Sequence, residues 1–483
     1  MTARIERIAL APDLGISRVI TGLWQIADME RDGKTLDLAA TAESMQPYVA
    51  AGFTTFDMAD HYGSAELIAG LYRTAHADPS TQLFTKWVPK PGPIAAGDVR
   101  AAVERAVDRL KGKPIDLMQY HAWTFADAHW LDALWHLTDL KRDGLIRHIG
   151  VTNFDAAHLR IAVASGIPVI TNQVSFSLLD QRAAGGLSAV CAQYGVKLLA
   201  YGTVAGGLLS ARWQARPEPP KDDLTTWSLM KYARFMRAAG GWNALQRVLD
   251  VTAQIATKHD VSISNVACRY ILDFPAVAAV IIGARLGERA HLDDNARLAA
   301  LRLDDPDRTA LRNVLATLTP IPGDCGDEYR KPPYLTASGD LSHHVDAFPT
   351  PYAVHTVNDT RSYCLSGTPW EPLAGYSRAT RVGNHIHVSG TTATHGTRAI
   401  GGSDPAAQTH FVLDKIEGAL VSLGGTLDQV VRTRVFVTDM RQWEPIARAL
   451  GERFAHIFPA NTMVQAGLIG AGYLVEIEAD AEM

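Results

Sequence analysis

The chain has 483 residues, with 46 Lys and Arg against 51 Asp and Glu for a net charge of −5, and it is 47% hydrophobic and 20% charged. That composition excludes a disordered, collagen-like or coiled-coil chain. The mild acidity, without a long basic run, argues against nucleic-acid binding, which draws its affinity from clustered Lys and Arg.

The length suggests two or three domains. No apolar stretch reaches bilayer length; the longest, such as 277–284, are strand-sized. Residues 1–13 carry Arg4, Glu6 and Arg7 without a long apolar core, so no signal peptide is read and a cytoplasmic protein is expected. Cys191, Cys268, Cys325 and Cys364 lie far apart without CxxC or zinc spacing, so free thiols and no metal are expected.

Over the first two-thirds, short β-branched apolar runs alternate with longer amphipathic ones. Strands are expected near 19–24, 54–60, 82–87, 115–121, 147–153, 170–176, 196–202 and 277–283, with helices such as 41–51, 99–111, 131–142 and 156–164 between them. Near-continuous apolar strands separated by helices indicate a parallel sheet covered by helices. Eight such units fit an α/β (β/α)8 TIM barrel. A doubly wound sheet is the competitor, but no GxGxxG follows the first strand. The stretch 210–243, rich in Pro, Trp and Met, interrupts the seventh unit and is expected at the substrate mouth. Residues 321–375 lose periodicity and carry many prolines, so they are expected to form an extended connector around the barrel. A second, α+β domain is expected over 376–483. It would have a hairpin at Gly383-Asn384, a helix from Pro405 to Gly424-Gly425, a strand at 430–438, a helix at 442–454 and strands at 462–468 and 473–479.

In a TIM barrel the chemistry sits at the C-terminal ends of the strands. Those positions hold Asp57, with Tyr62 just after, then Lys86 and His121 on the next two strands, so the four side chains can converge. A buried Asp and a buried Lys each need a partner, and each can be the other's. Trp24, Trp87 and Trp123 are candidate walls of the substrate pocket, and Trp213 and Trp227 candidates to close its mouth.

With Phe56-Asp57-Met58-Ala59-Asp60-His61-Tyr62-Gly63, Thr85-Lys86, Tyr120-His121, Gly150-Val151-Thr152-Asn153-Phe154 and Asn172-Gln173-Val174, residues 5–320 resemble the aldo-keto reductase superfamily. The resemblance implies that Asp57, Tyr62, Lys86 and His121 are the catalytic tetrad of a carbonyl reductase, with Tyr62 as proton donor. Lys86 would lower the Tyr62 pKa, Asp57 would hold Lys86, and His121 would orient the carbonyl. It also implies a nicotinamide cofactor. Thr152, Asn153 and Gln173 would hold its carboxamide, Tyr201 would stack on its ring, and Gly22 and Trp24 would lie beside it. Gly202, Val204 and Leu208 would follow the pyrophosphate, and Arg285, Asp294 and Asn295 would meet the adenosine end. The guanidinium of Arg285 favours NADPH over NADH, although Leu286 replaces the usual Ser or Thr and His291 a common Arg.

Residues 376–483 resemble the Rid (YjgF-type) family of imine and enamine deaminases, a chorismate-mutase-like fold, through Tyr376-Ser377-Arg378-Ala379, Val388-Ser389-Gly390, Gln408-Thr409, Phe458-Pro459-Ala460 and Val475-Glu476-Ile477-Glu478. The resemblance implies a homo-oligomer, with a trimer expected through this domain and ligand sites between subunits. Tyr376 and Glu476 match site positions, but Asn461 stands where active members carry Arg. Three readings follow from the two resemblances. They are a reductase with an oligomerising or imine-handling tail, a bifunctional deaminase-reductase, and a non-catalytic nicotinamide-binding regulator. The partners expected are a small carbonyl compound and further copies of the chain, with neither nucleic acid nor membrane.

Overall fold

A computed structural model of the chain describes residues 5–112, 114–288, 291–347 and 349–483. Eight parallel strands close into a barrel: β1 (Val19–Gly22), β2 (Thr55–Asp57), β3 (Gln82–Trp87), β4 (Ile115–His121), β5 (Ile146–Thr152), β6 (Val169–Ser175), β7 (Lys197–Tyr201) and β8 (Val277–Gly283), with β8 paired back to β1. Strands such as β3 and β4 are buried along their whole length, as expected where helices cover the outside and side chains fill the inside.

Three local features differ from the sequence reading. An N-terminal hairpin, Arg7–Ala11 with Leu14–Ser17, inserts Leu14 and Ile16 among Ile20, Phe84, Leu117 and Leu199 of the barrel interior. β1 stops at Gly22, and Trp24 opens a helix, Trp24–Met29, instead of ending the strand. The last contact here is Leu23 N–H donating to Asp57 O at 2.9 Å, after which the chain leaves the barrel. The insertion after β7 coils through short 3-10 turns. It then forms a helix, Trp227–Ala238, capped by the Thr226 hydroxyl, which accepts from Leu229 N at 3.2 Å.

The second unit is a seven-stranded sheet in the order β9 (Ala353–Asn358), β10 (Arg361–Leu365), β11 (Ala379–Val382), β12 (His385–Thr392), β15 (Val475–Glu482), β13 (Val430–Val437) and β14 (Ala460–Gln465). Here β13 and β14 run parallel, and β15 lies antiparallel between β12 and β13. The hairpin β9–β10 falls in the stretch read as connector. It extends the sheet because β10 pairs with β11 from Arg361–Val382 to Cys364–Ala379.

Two helices, Pro405–Ser422 and Trp443–Phe454, cover one face of the sheet. The first is buried nearly all round, since its far side meets the barrel helix Ala156–Ala164. There a Cβ on Gly402 would lie 2.5 Å from Ala164 O, so the backbones approach too closely for any side chain. His158 of the barrel lies 2.7 Å from Asp155 and 3.1 Å from Asp414 of the second unit, and Arg160 pairs with Asp404 at 2.9 Å. Among the described residues, no helix is long and apolar enough to cross a membrane.

Candidate active site

Side chains alternate along a strand, so Lys86 on β3, Gln119 and His121 on β4, and Gln173 on β6 all reach the barrel axis. Asp57 ends β2 among them. Its Oδ2 accepts from Lys86 Nζ at 2.6 Å, and its Oδ1 accepts from Gln119 Nε2 at 3.0 Å and Gln173 Nε2 at 2.7 Å. Lys86 also donates to Met58 O at 2.7 Å and lies 4.9 Å from the centre of the Tyr62 ring. Burial pulls the Lys86 ammonium below its ordinary pKa against the opposing pull of Asp57.

Tyr62 departs from the sequence expectation. Burial, then Asp57 and Tyr329, push its phenol well above the usual value, whereas Lys86 was expected to lower it. His121 is pushed well below its usual pKa by burial and by Arg330, so its imidazole is neutral at pH 7. Its Nδ1 lies 3.4 Å from Thr152 O, and its buried Nε2 meets no hydrogen-bond partner among the described residues.

These groups open into one cavity of about 720 Å³. Of the expected residues, Asp57, Tyr62, Lys86, His121, Gly22, Trp24, Thr152, Asn153, Gln173, Tyr201, Gly202, Val204 and Trp123 line it, as does Trp227 of the insertion. Asn153, held at φ 60, accepts from the Tyr201 hydroxyl through Oδ1 at 2.7 Å, and its backbone N–H donates to Gln173 O at 2.8 Å. Gly202 has φ +74, and a Cβ there would fall 2.3 Å from the Tyr232 hydroxyl, so the chain after β7 requires glycine.

The other expected residues lie elsewhere. Trp87 follows inward-facing Lys86 and by alternation points out of the barrel, packing 5.6 Å from Tyr120. Trp213 packs on Trp242 in the cluster that also buries Leu208. Arg285 is paired with Asp28 at 2.9 Å and Glu288 at 2.7 Å. Asp294 ties its short helix to the preceding one through Ser262 and Asn265, and Asn295 sits in that same helix.

The connector contributes residues that no sequence signal marked. Instead of merely skirting the barrel it crosses its mouth, so that Tyr329, Ala337, Ser338 and Gly339 line the cavity. The Tyr329 ring stands 5.6 Å from His121, and His344 packs 4.2 Å from Trp123. Arg330 donates to Asn153 O at 2.8 Å and lies over Phe125 at 4.5 Å. Lys231, from the insertion that was expected at the mouth, also lines the cavity.

In the second unit Tyr376, Asn461 and Glu476 do not meet within one chain. Arg378 lies 5.6 Å from the Tyr376 ring, and a Cβ on Gly390 would touch the Glu476 carboxylate, so these belong to one neighbourhood. Asn461 donates to Thr433 on the next strand at 2.8 Å. From the register, in which Thr433 pairs with Asn461 and Phe436 with Glu476, the two lie about 14 Å apart. Burial raises the Glu476 pKa, and burial beside Arg378 draws the Lys415 ammonium down to about 7.

Comparison with known proteins agrees with this architecture. Residues 368–483 match the family model described as Endoribonuclease L-PSP, and with the barrel this gives the aldo-keto reductase–Rid fusion expected from sequence. 3-Aminoacrylate deaminase RutC of Acinetobacter baylyi is 35% identical over 118 residues, covering 24% of this chain and 93% of that protein. Flagellar radial spoke protein 5 of Chlamydomonas reinhardtii is 33% identical over 247 residues, 44% of this chain, and the match spans only 45% of that relative's length. The solved glycerol dehydrogenase AKR11B4 of Gluconobacter oxydans is 25% identical with a TM-score of 0.53, over 67% of this chain and 97% of that one. Residues 18–316 match the model of the aldo/keto reductase family, and the chain belongs to that family.

Proposed function

We propose that the barrel is an NADPH-dependent reductase of aldehydes or ketones, with Tyr62 as the proton donor. The observation that carries this is the buried Lys86–Asp57 pair at 2.6 Å, set beneath the Tyr62 ring in the same cavity as the unpartnered Nε2 of His121. A nicotinamide fits this site. Thr152, Asn153, Gln173 and Tyr201 lie together on its wall, and the cavity of about 720 Å³ leaves room for a substrate beside it.

When bound, the reduced nicotinamide supplies a hydride to the carbonyl carbon. The chain's residues do the rest. Tyr62, kept protonated at neutral pH by burial, releases its proton to the carbonyl oxygen as negative charge develops there, which completes a two-electron reduction to the alcohol. His121 holds that oxygen from a neutral ring. Lys86 stabilises the phenolate left behind, and Asp57 with its two amide donors fixes Lys86 in place. The aromatic walls Trp24, Trp123 and Trp227 suit an aryl or apolar carbonyl compound. Arg285 supplies the preference for NADPH by taking the 2′-phosphate in place of the exposed Glu288 carboxylate.

For the tail, the reading is an oligomerising module in a cytoplasmic homo-oligomer. Val431 and Val464 stay exposed on its sheet, a surface that a second copy would cover.

The test is loss of nicotinamide absorbance over a panel of aldehydes and ketones. Tyr62→Phe should lower turnover by about three orders of magnitude, and wild type should use NADPH in preference to NADH. Turnover that survives in the variant overturns the acid assignment.

A further inference from the structure

Lys231 is a charge without a charged partner among the described residues. It projects from the helix Trp227–Ala238 into the cavity and donates to the Tyr329 hydroxyl at 2.7 Å. Its ammonium lies 4.8 Å from the ring centres of both Tyr201 and Tyr329, 5.3 Å from Tyr232 and 5.8 Å from Phe235. No carboxylate among the described residues pairs with it. The field of Glu328 reaches it, but that carboxylate is held by Arg182 at 3.0 Å. Rings hold a cation in place without neutralising it, and an aromatic box that retains a charge leaves it free for an anion. Although burial opposes the charge, the Glu328 carboxylate and the hydrogen bond to the Tyr329 hydroxyl favour it, and the Lys231 pKa is held above its ordinary value.

The position says which anion. Tyr329 links the ammonium to the reacting centre, since its ring lies 5.6 Å from His121 and its hydroxyl 3.4 Å from that of Tyr201. A carboxylate held by Lys231 and the Tyr329 hydroxyl would therefore share the cavity with a carbonyl oxygen held by His121 and Tyr62. We propose that Lys231 and Tyr329 form a carboxylate subsite, so that the substrate of the barrel is an oxo acid. This rests on the reductase reading above and narrows its substrate class. The reaction balances as before: the ketone carbon gains the hydride of NADPH, its oxygen gains the Tyr62 proton, and the carboxylate is unchanged in the hydroxy acid product.

Phenylglyoxylate and its methyl ester differ only in that charge and test the idea directly. With NADPH-loaded wild type, the acid should be reduced with a kcat/KM roughly 30-fold above the ester, the scale of one charge-assisted hydrogen bond. Lys231→Met should bring the ratio close to one through the KM of the acid, and Lys231→Arg should keep most of it. Equal use of acid and ester by wild type overturns the proposal. So does a Lys231→Met variant that loses both substrates alike and binds NADPH more weakly, because the cation would then serve a cofactor phosphate. A second readout separates this proposal from the reading it rests on: quenching of the cavity tryptophans by phenylglyoxylate. If neither compound is reduced but quenching still depends on Lys231, the subsite stands and the reductase reading falls. If quenching is also independent of Lys231, the subsite falls with it.

Discussion

The two halves of the chain handle their polar groups in opposite ways. At the barrel mouth, Asp57, Lys86, Gln119 and Gln173 satisfy one another in the interior, and all of them come from a single chain. On the second sheet, Asn461 is exposed on an edge strand, and Glu476 lies about 14 Å from it. The barrel converges because its strands close into a ring with every C-terminal end facing one point. An open sheet spreads its residues over a plane, and only a second copy could bring its two ends together. Four polar side chains therefore converge in one region, whereas Asn461 and Glu476 stay apart in the other.

The sharpest way to break this comparison is Lys86→Met. It leaves Asp57 buried with amide donors only, and removing one partner of a buried pair costs about 3–5 kcal/mol. We expect a large fall in the melting temperature together with loss of reduction. A comparable fall from Glu476→Gln, whose carboxylate is only half-buried, would mean that the second unit carries a closed site after all.

The ion pair that joins the halves gives a smaller, pH-dependent effect. Burial alone would lower the pKa of His158, but Asp155 and Asp414 reverse this and hold it up at about 9. A raised histidine stabilises fully below its unfolded value of 6.5 and loses that contribution as pH climbs through 9. His158→Gln should thus cost about 3 kcal/mol at pH 6, and the gap to wild type should close by pH 10. Thermal melts at both pH values check this, and a gap that does not move with pH would show that the histidine serves only packing against Phe125, whose ring stacks on it at 3.6 Å.

What the sequence disclosed follows the same division. The eight strands were legible because a buried parallel strand must be nearly all apolar. The convergence of Asp57, Tyr62, Lys86 and His121 on one cavity was legible because strands consecutive in sequence are neighbours in space. Trp87 was misplaced by ignoring alternation, since a residue after inward Lys86 has to point outward. The pairing of Arg285 with Asp28 spans 257 residues, and no periodicity encodes it. Tyr329 was hidden for a related reason: a segment without regular structure gives no pattern from which its destination can be read. The strands β9 and β10 were missed because the prolines around them masked a short hairpin whose residues are mostly exposed.

The smallest expected effect is the most diagnostic for the tail. Asn461 makes a single hydrogen bond to Thr433, at 2.8 Å, on a strand whose other neighbour is solvent. Asn461→Ala should cost no more than about 0.5 kcal/mol and leave reduction unchanged, because nothing in the barrel touches it. If the sheet is covered by another copy, the asparagine is buried there, and losing it also weakens the assembly. Light scattering over a dilution series reads that difference. A variant that melts like wild type but dissociates at higher concentration places Asn461 between subunits. One that matches wild type in both leaves it a solvated edge residue, and the module would then have to assemble through Val431 and Val464 without it.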